Sequence, residues 1–206
     1  MSEPDWLVWA KRLQAISQSG LYFCKDPFDL ERYQQAHDLA MEMMANGSDL
    51  ELLHLKEQFS QEAGYATPKM VVRGAVFKDD KILMVQEHLD KLWTLPGGFA
   101  DVNISPQENI VKEIQEESGY LTQVNKLAAL YDRQKHSHPA ASFHYYVVFF
   151  ICDLIGGEAQ TSIETDAVEF FGEDELPELS PGRINEHQIR RMFVHHRQPG
   201  LPADYD

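Results

Sequence analysis

Cysteine, basic side chains and long apolar runs are all scarce in this chain, and each scarcity excludes something. Its 206 residues include two cysteines, Cys24 and Cys152, with no Cys-x-x-Cys spacing, so neither a disulfide framework nor a thiolate metal site is expected. Both sit in apolar stretches and are expected to be reduced, buried thiols. Against 33 Asp and Glu stand 18 Lys and Arg, a formal net charge of -15. Such a surface repels phosphate polymers and anionic bilayers, which argues against nucleic-acid or membrane partners. The longest apolar run, around Tyr145 to Ile151, is far shorter than the ~20 residues a membrane helix needs. The start, Met-Ser-Glu-Pro-Asp-Trp, has neither a basic flank nor an apolar core, so no signal peptide is expected and the reading is cytoplasmic. A small phosphate-bearing substrate would have to be met by bound cations and a few local Arg, Lys or His side chains.

What the chain does have is a well-marked acidic helix. Ser105 opens a Ser-x-x-Glu capping box with Glu108, Pro106 takes the tolerated first helical position, and Gly119 suits the position just past the end. The spacing predicts a helix from about Pro106 to Ser118. At 100° per residue Glu116 and Glu117 flank Glu113, while Ile110, Val111 and Ile114 occupy the neighbouring arc. One arc anchors the helix and the other concentrates charge. Clustered carboxylates repel one another unless a cation compensates, and an oxygen-only donor set suits Mg²⁺ or Mn²⁺. The bland alternative, a solvated acidic face, does not account for the caps and the preceding Leu95-Pro96-Gly97-Gly98 turn occurring together.

The segment from Gly98 to Tyr120 resembles the Nudix box, Gly-x5-Glu-x7-Arg-Glu-U-x-Glu-Glu-x-Gly-U, with U a bulky apolar residue. Gly98, Glu113, Ile114, Glu116, Glu117, Gly119 and Tyr120 occupy matching positions. Ile104 stands where the family has its first Glu, and Lys112 where it has Arg. Lys112 can pair with Glu116 one turn on but offers no bidentate fork. The resemblance implies an α/β/α sandwich around a mixed sheet and a metal set of Glu113, Glu116 and Glu117. It also implies hydrolysis of a nucleoside diphosphate linked to a group X, with a box glutamate or a later loop residue taking the proton from water. Glu164, in Ser162-Ile-Glu-Thr-Asp166, is the candidate for the later residue, with a solvated loop carboxylate as the alternative.

Ahead of this lie three helical patterns, each ending at a glycine. Trp6, Leu7, Ala10, Leu13 and Ile16 recur up to Gly20; Asp26-Pro27 or Asp29 opens a run through Tyr33 and Met43 to Gly47; Ser48 and Glu51 suggest a capping box for a third helix ending at Gly64. The domain boundary is expected at Thr67-Pro68, giving a helical domain at 1–66 and a catalytic one at 67–206. Asp29-Leu-Glu-Arg-Tyr33, Tyr131 to His136 and Glu173 to Ser180 resemble a Nudix subgroup with an N-terminal helical domain that acts on ADP-ribose, CDP-choline or UDP-linked compounds. For that module a dimer interface or an active-site cover is expected, hence a homodimer. Downstream the sequence predicts strands at Val71–Phe77 and Ile82–Gln86 about an Asp79-Asp80 turn, then Leu121–Tyr131, Phe143–Leu154, a Gly156-Gly157 turn and Val168–Phe171, with a last helix over Arg183–His196.

Further contacts are open. Arg73, in an otherwise apolar strand, belongs either on the wet face of the sheet or against a phosphate. Arg133, Lys135, His136 and His138 form a basic loop suited to phosphates or a base, and Gly97 and Gly98 allow the backbone to approach the substrate. Trp93 is expected in the core, and His195 and His196 at the surface. A catalytically silent Nudix-fold sensor of the same ligand is the alternative function; the complete glutamate triad, and a leading module without a basic recognition helix, count against it.

Overall fold

The computed structural model describes residues 3–47 and 51–206. Its contacts divide into two units, residues 1–69 with 140–144, and residues 70–139 with 145–206. Among the described residues no helix is long and apolar enough to cross a membrane.

The first unit contains α1 (Asp5–Phe23), α2 (Pro27–Gly47) and α3 (Leu52–Ser60), gathered around Leu7, Ala10, Ala40, Met41, Met44, Leu55 and Phe59. Gly20 does not end α1. It lies inside the helix, where a Cβ would fall 2.3 Å from the Tyr33 ring, so the glycine serves close packing of α2. Asp26 caps α2 as its position suggested, its carboxylate accepting from the Phe28 and Asp29 amides at 2.9 and 3.1 Å. Ser48 lies outside the described residues, Glu51 gives α3 no side-chain cap, and α3 ends at Ser60, four residues ahead of Gly64. One face of α1 inverts the expected pattern. Gln14, Ser17 and Gln18 are buried, while Trp9, Ile16 and Phe23, two turns apart along the helix, are each about 60% exposed.

The second unit is a mixed sheet between two helices. β1 (Lys69–Lys78) and β2 (Lys81–Glu87) form the expected hairpin, with Phe77 opposite Ile82 and both turn residues, Asp79 and Asp80, at positive φ. The sheet order is β3-β2-β1-β5-β4-β7, with β6 also paired to β2; β3 is Trp93–Thr94, β4 Tyr120–Asp132, β5 Tyr145–Gly157, β6 Thr165–Phe171 and β7 Asp204–Tyr205. β2 pairs antiparallel with β1, β3 and β6, β4 pairs antiparallel with β5, and β4 pairs parallel with β7. Gly156 and Gly157 continue β5 rather than turning it, opposite Leu121 and Tyr120. α4 (Pro106–Ser118) covers one face through Ile110 and Ile114, packed on Val72, Val76, Val148 and Phe150; α5 (Glu186–Arg197) covers the other through Ile189, Met192 and Phe193, packed on Ala75, Val147 and Phe149. The layers are those of an α/β/α sandwich.

Of two residues expected at the surface, His195 is buried and His196 half-buried. His195 is 1% exposed, its Nε2 3.0 Å from Asp204, and His196 stacks on Phe77 with centroids 4.0 Å apart. The partners are supplied by the C-terminal segment and by β1, remote positions that helical periodicity does not register. Arg191 adds two bonds to Asp204, at 2.6 and 2.8 Å, and Tyr131 donates a third at 3.0 Å. Together they fix β7 at the sheet edge and hold the Asp204 carboxyl far below its ordinary value. Trp93 is in the core, edge-on to Phe171 at 4.8 Å. Both cysteines are free; Cys152 is buried, its thiol pushed up to about 12 by burial, and Cys24 is partly exposed.

Candidate active site

The site begins where residues 96–100 zip along the first half of β1. The Val72, Gly74 and Ala100 amides donate to Gly98, Pro96 and Met70 carbonyls at 2.9, 2.9 and 3.0 Å. Gly97 has a φ of 139°, and a Cβ there would meet the Val72 carbonyl oxygen at 2.1 Å, so no other residue fits. A Cβ on Gly98 would lie 3.0 Å from a Glu113 carboxylate oxygen. The glycine pair therefore brings bare backbone up to the acidic arc of α4.

That helix is set as its sequence dictates, with both halves of the Ser105 and Glu108 capping box formed and Gly119 left-handed at φ 75°. Ile114 fits over Gly74, where a Cβ would come within 2.6 Å of it, and this contact fixes the rotation of the helix on β1. The glutamates consequently differ. Glu117 is 6% exposed and accepts from the Gly97 amide at 2.9 Å. Glu113 is half-buried and accepts from Asn109 at 3.3 Å. Glu116 faces solvent, 3.3 Å from Lys112, which also binds Asp101 at 3.0 Å. Burial pushes the Glu117 carboxyl up to about 8, with Glu113 and Glu87 adding to the rise and Arg73 and the Gly97 amide opposing it. Glu113 is raised for the same first reason, with Lys112 opposing and Glu116 adding to the rise.

With each carboxylate turned to its own partner, no group of three His, Cys, Asp or Glu side chains among the described residues converges as a metal site. The donor chemistry nevertheless fits a hard dication. The donors are oxygens, they lie close enough to raise one another's proton affinity, and a cation between them would relieve both the repulsion and the cost of burial.

Arg73 is not on a wet face of the sheet. It is 6% exposed, with Nη1 donating to the Leu95 carbonyl at 3.0 Å and to the Gly97 carbonyl, and with Nε buried and unpartnered. Burial lowers its proton affinity, while Glu117, Glu87 and Glu113 sustain its charge. It thus holds the Leu95–Gly97 turn beneath the glutamates.

Glu164 is exposed, on a loop whose backbone is tightly held. Its carbonyl accepts from the His88 amide at 2.7 Å and its amide donates to Ser162 at 3.1 Å. Next to it, buried Thr165 donates to the Glu117 carbonyl at 2.8 Å and accepts from the Ser162 amide at 3.0 Å. The loop is thereby tied to the helix that carries the triad. The basic loop after β4 is committed locally. Arg133 donates to the Gly182 and Pro139 carbonyls, His138 pairs with the Pro181 carbonyl at 2.9 Å, and His136 pairs with Asp206 at 2.9 Å while packing on Tyr131.

Three contributors escape a sequence reading. Asn109 is buried, accepts from the Asp101 amide at 2.6 Å and donates toward Glu113 and the Phe99 carbonyl; its place one turn before Glu113 was the available clue. Glu87 and Arg183 pair at 3.0 Å beside Arg73, and burial raises the Glu87 carboxyl against the pull of Arg183. A register shift between Gln86 and Glu87 aims Glu87, and no pattern in the sequence marks it.

Comparison with known proteins matches both parts of the chain. Residues 68–193 match the model of the NUDIX domain, and residues 4–59 that of a UDP-X-like, N-terminal oligomerisation domain. YjhB of Bacillus subtilis (strain 168), provisionally named an ADP-ribose pyrophosphatase, is 46% identical over 204 residues, covering 99% of this chain and 98% of that protein. The crystal structure of a UDP-X diphosphatase superposes with a TM-score of 0.64 at 37% identity, covering 100% of both chains. That of an ADP-ribose pyrophosphatase from Streptococcus suis 89-1591 does so with a TM-score of 0.63 at 39% identity, covering 68% of this chain and 100% of that one. The paired glutamates of α4, the glycine turn that abuts them and these similarities lead to one conclusion: this chain belongs to the Nudix hydrolase family.

Proposed function

We propose that the protein is a divalent-metal-dependent pyrophosphohydrolase that splits a nucleoside diphosphate linked to X, of the ADP-ribose or CDP-choline type, into nucleoside monophosphate and phospho-X. The observation that carries this reading is the facing pair Glu113 and Glu117, raised in proton affinity and pressed against the bare backbone of Gly97 and Gly98. Glu113, Glu117 and, after leaving Lys112, Glu116 would hold Mg²⁺ or Mn²⁺. When bound, the metal supplies charge neutralisation for the diphosphate and an acidified water. Arg73 keeps the glycine turn in place and offsets the charge of Glu117. Glu164, held next to the Thr165 tie, takes the proton from the attacking water. Arg133 and His136 line the substrate side, with Gly97 and Gly98 as its backbone wall.

The helical residues 1–66 serve as a homodimerisation module, separate from the catalytic residues 67–206. Supporting this, α1 exposes Trp9, Ile16 and Phe23 while burying Gln14, Ser17 and Gln18, an arrangement that calls for a second apolar surface. The similarity of residues 4–59 to an oligomerisation domain agrees.

The test is phosphate release from ADP-ribose, CDP-choline, UDP-sugars, dinucleoside polyphosphates and 8-oxo-dGTP, with Mg²⁺ or Mn²⁺ and added alkaline phosphatase. Turnover of one NDP-X compound that is abolished by EDTA and lost in Glu117→Gln is expected. Absence of turnover for the whole panel, with tight binding of one compound, would replace the hydrolase with a sensor.

A further inference from the structure

Resting on the pyrophosphohydrolase reading, we infer that Phe99 and Tyr145, backed by Arg133, form the platform on which the nucleobase of the substrate stacks.

The placement follows from strand alternation. Gly98 faces Glu113 and α4, so the next side chain, Phe99, projects to the other face of the sheet. Val71, which bridges to Phe99, packs with the cluster on that other face, as do Ala75 on β1 and Val147 on β5. Alternation from Ala75 and Val147 puts Arg73 and Tyr145 on this face as well. β1 and β5 are neighbours whose first residues meet, the Lys69 amide donating to the His144 carbonyl at 2.9 Å, so Arg73 and Tyr145 lie on one sheet face in the first halves of adjacent strands.

The aromatic pair is connected to the acids from two directions. On one side Phe99 follows Gly98, which abuts Glu113, and Asn109 touches both Glu113 and the Phe99 carbonyl. On the other, Arg133 lies over the Tyr145 ring at 5.9 Å and binds the Gly182 carbonyl at 3.1 Å, and the next residue, Arg183, pairs with Glu87 beside Glu117 and Arg73. A ligand whose diphosphate sits at the glutamates therefore has the aromatic pair within one sheet end of it.

The chemistry of that pair selects a flat, electron-rich ring. The Phe99 and Tyr145 centroids are 6.0 Å apart and tilted by 40°, and Phe99 is 57% exposed although it is large and apolar. Carbonyls of Gly182 and Pro139 fix the Arg133 guanidinium, so its position costs no ordering when a ring arrives. Ribose 5-phosphate has no flat face for these rings, and the quaternary ammonium of choline, which aromatic faces attract, is opposed by the Arg133 guanidinium already over Tyr145. Stacking tolerates any base, so the platform favours nucleotides over the X half without choosing among adenine, cytosine and uracil.

The test is titration calorimetry of AMP, CMP and UMP, and separately of ribose 5-phosphate and phosphocholine, on wild type, Phe99→Ala, Tyr145→Ala and Phe99→Trp, with KM and kcat for the cleaved substrate. Loss of one stacking contact weakens a nucleotide about tenfold. The expected result is a loss of that size in nucleotide affinity and a matching rise in KM for both alanine variants, with kcat and phospho-X affinity unchanged and Phe99→Trp close to wild type. Nucleotide affinity unchanged in both alanine variants, or phospho-X affinity lost instead, overturns the platform. Phe99 is exposed, so Phe99→Ala removes little packing, and circular dichroism confirms its fold. If wild type cleaves no NDP-X compound the hydrolase reading fails, and nucleotide binding by the same variants still decides the platform.

Discussion

Replacing Glu117 by Gln isolates the energetic cost of keeping a buried acid at the site. Raising the carboxyl from 4.5 to about 8 corresponds, at roughly 1.4 kcal/mol per tenfold change in proton affinity, to about 5 kcal/mol. Glu117 is 6% exposed, so solvent screening removes little of this. The folded protein binds the proton more tightly than the unfolded chain does. The contribution is therefore fully present below the unfolded value and is lost as pH rises through about 8. Gln at this position still accepts from the Gly97 amide but does not titrate, so its own packing cost is the same at every pH. The assay is thermal unfolding of both proteins in EDTA from pH 5 to pH 9. Wild type is expected to lose stability relative to Glu117→Gln across this window, by on the order of 10 °C in Tm for a chain of this size. Added Mg²⁺ or Mn²⁺ should recover the wild type at the alkaline end and leave the variant nearly unmoved. Parallel pH profiles for the two metal-free proteins would refute the reasoning, because they would mean that Glu117 ionises as freely when folded as when unfolded.

Three further outcomes follow from particular contacts. Gly98→Ala places a methyl group 3.0 Å from the Glu113 carboxylate, so steady-state kcat/KM should fall at least roughly tenfold with circular dichroism unchanged, as expected for misplacement of a reacting group. Thr165→Val keeps the shape but removes the tie between the Glu164 loop and the Glu117 carbonyl; it should cost about 1–3 kcal/mol in urea unfolding and lower kcat more than it raises KM, while Thr165→Ser retains most of both. Asp204→Asn leaves Arg191, His195 and Tyr131 around a neutral group, so hydrogen exchange at the Tyr205 edge of β4 should accelerate about thirtyfold, corresponding to a loss of roughly 2 kcal/mol.

What could be read from the sequence was whatever is written locally. The caps of α4, the Asp79-Asp80 turn, the glycine pair and the acidic arc with Lys112 against Glu116 are encoded within a turn or two, and the structure shows each. Resemblance carried the reading from these local signs to the sandwich and the Nudix family. The errors share one physical origin, contacts between residues distant in the chain. Gly20 reads as a stop and is a packing notch for Tyr33; His195 reads as exposed and is buried against Asp204; Gly156-Gly157 reads as a turn and pairs with the start of β4.

The same division runs through the site. The sequence by itself determined that three glutamates would lie on one side of a capped helix beside a glycine turn, because helical period and φ preference are properties of neighbouring residues. Only the tertiary structure decided that they are unequal. Packing of Ile114 over Gly74 rotates the helix so that Glu117 is buried, Glu113 half-buried and Glu116 exposed. Tertiary structure also buried Arg73 beneath the turn and recruited Glu87, Asn109, Thr165 and Arg183 around it. Desolvation and charge coupling act through space, so their targets are set by which strands and helices meet, and no spacing along the chain records that.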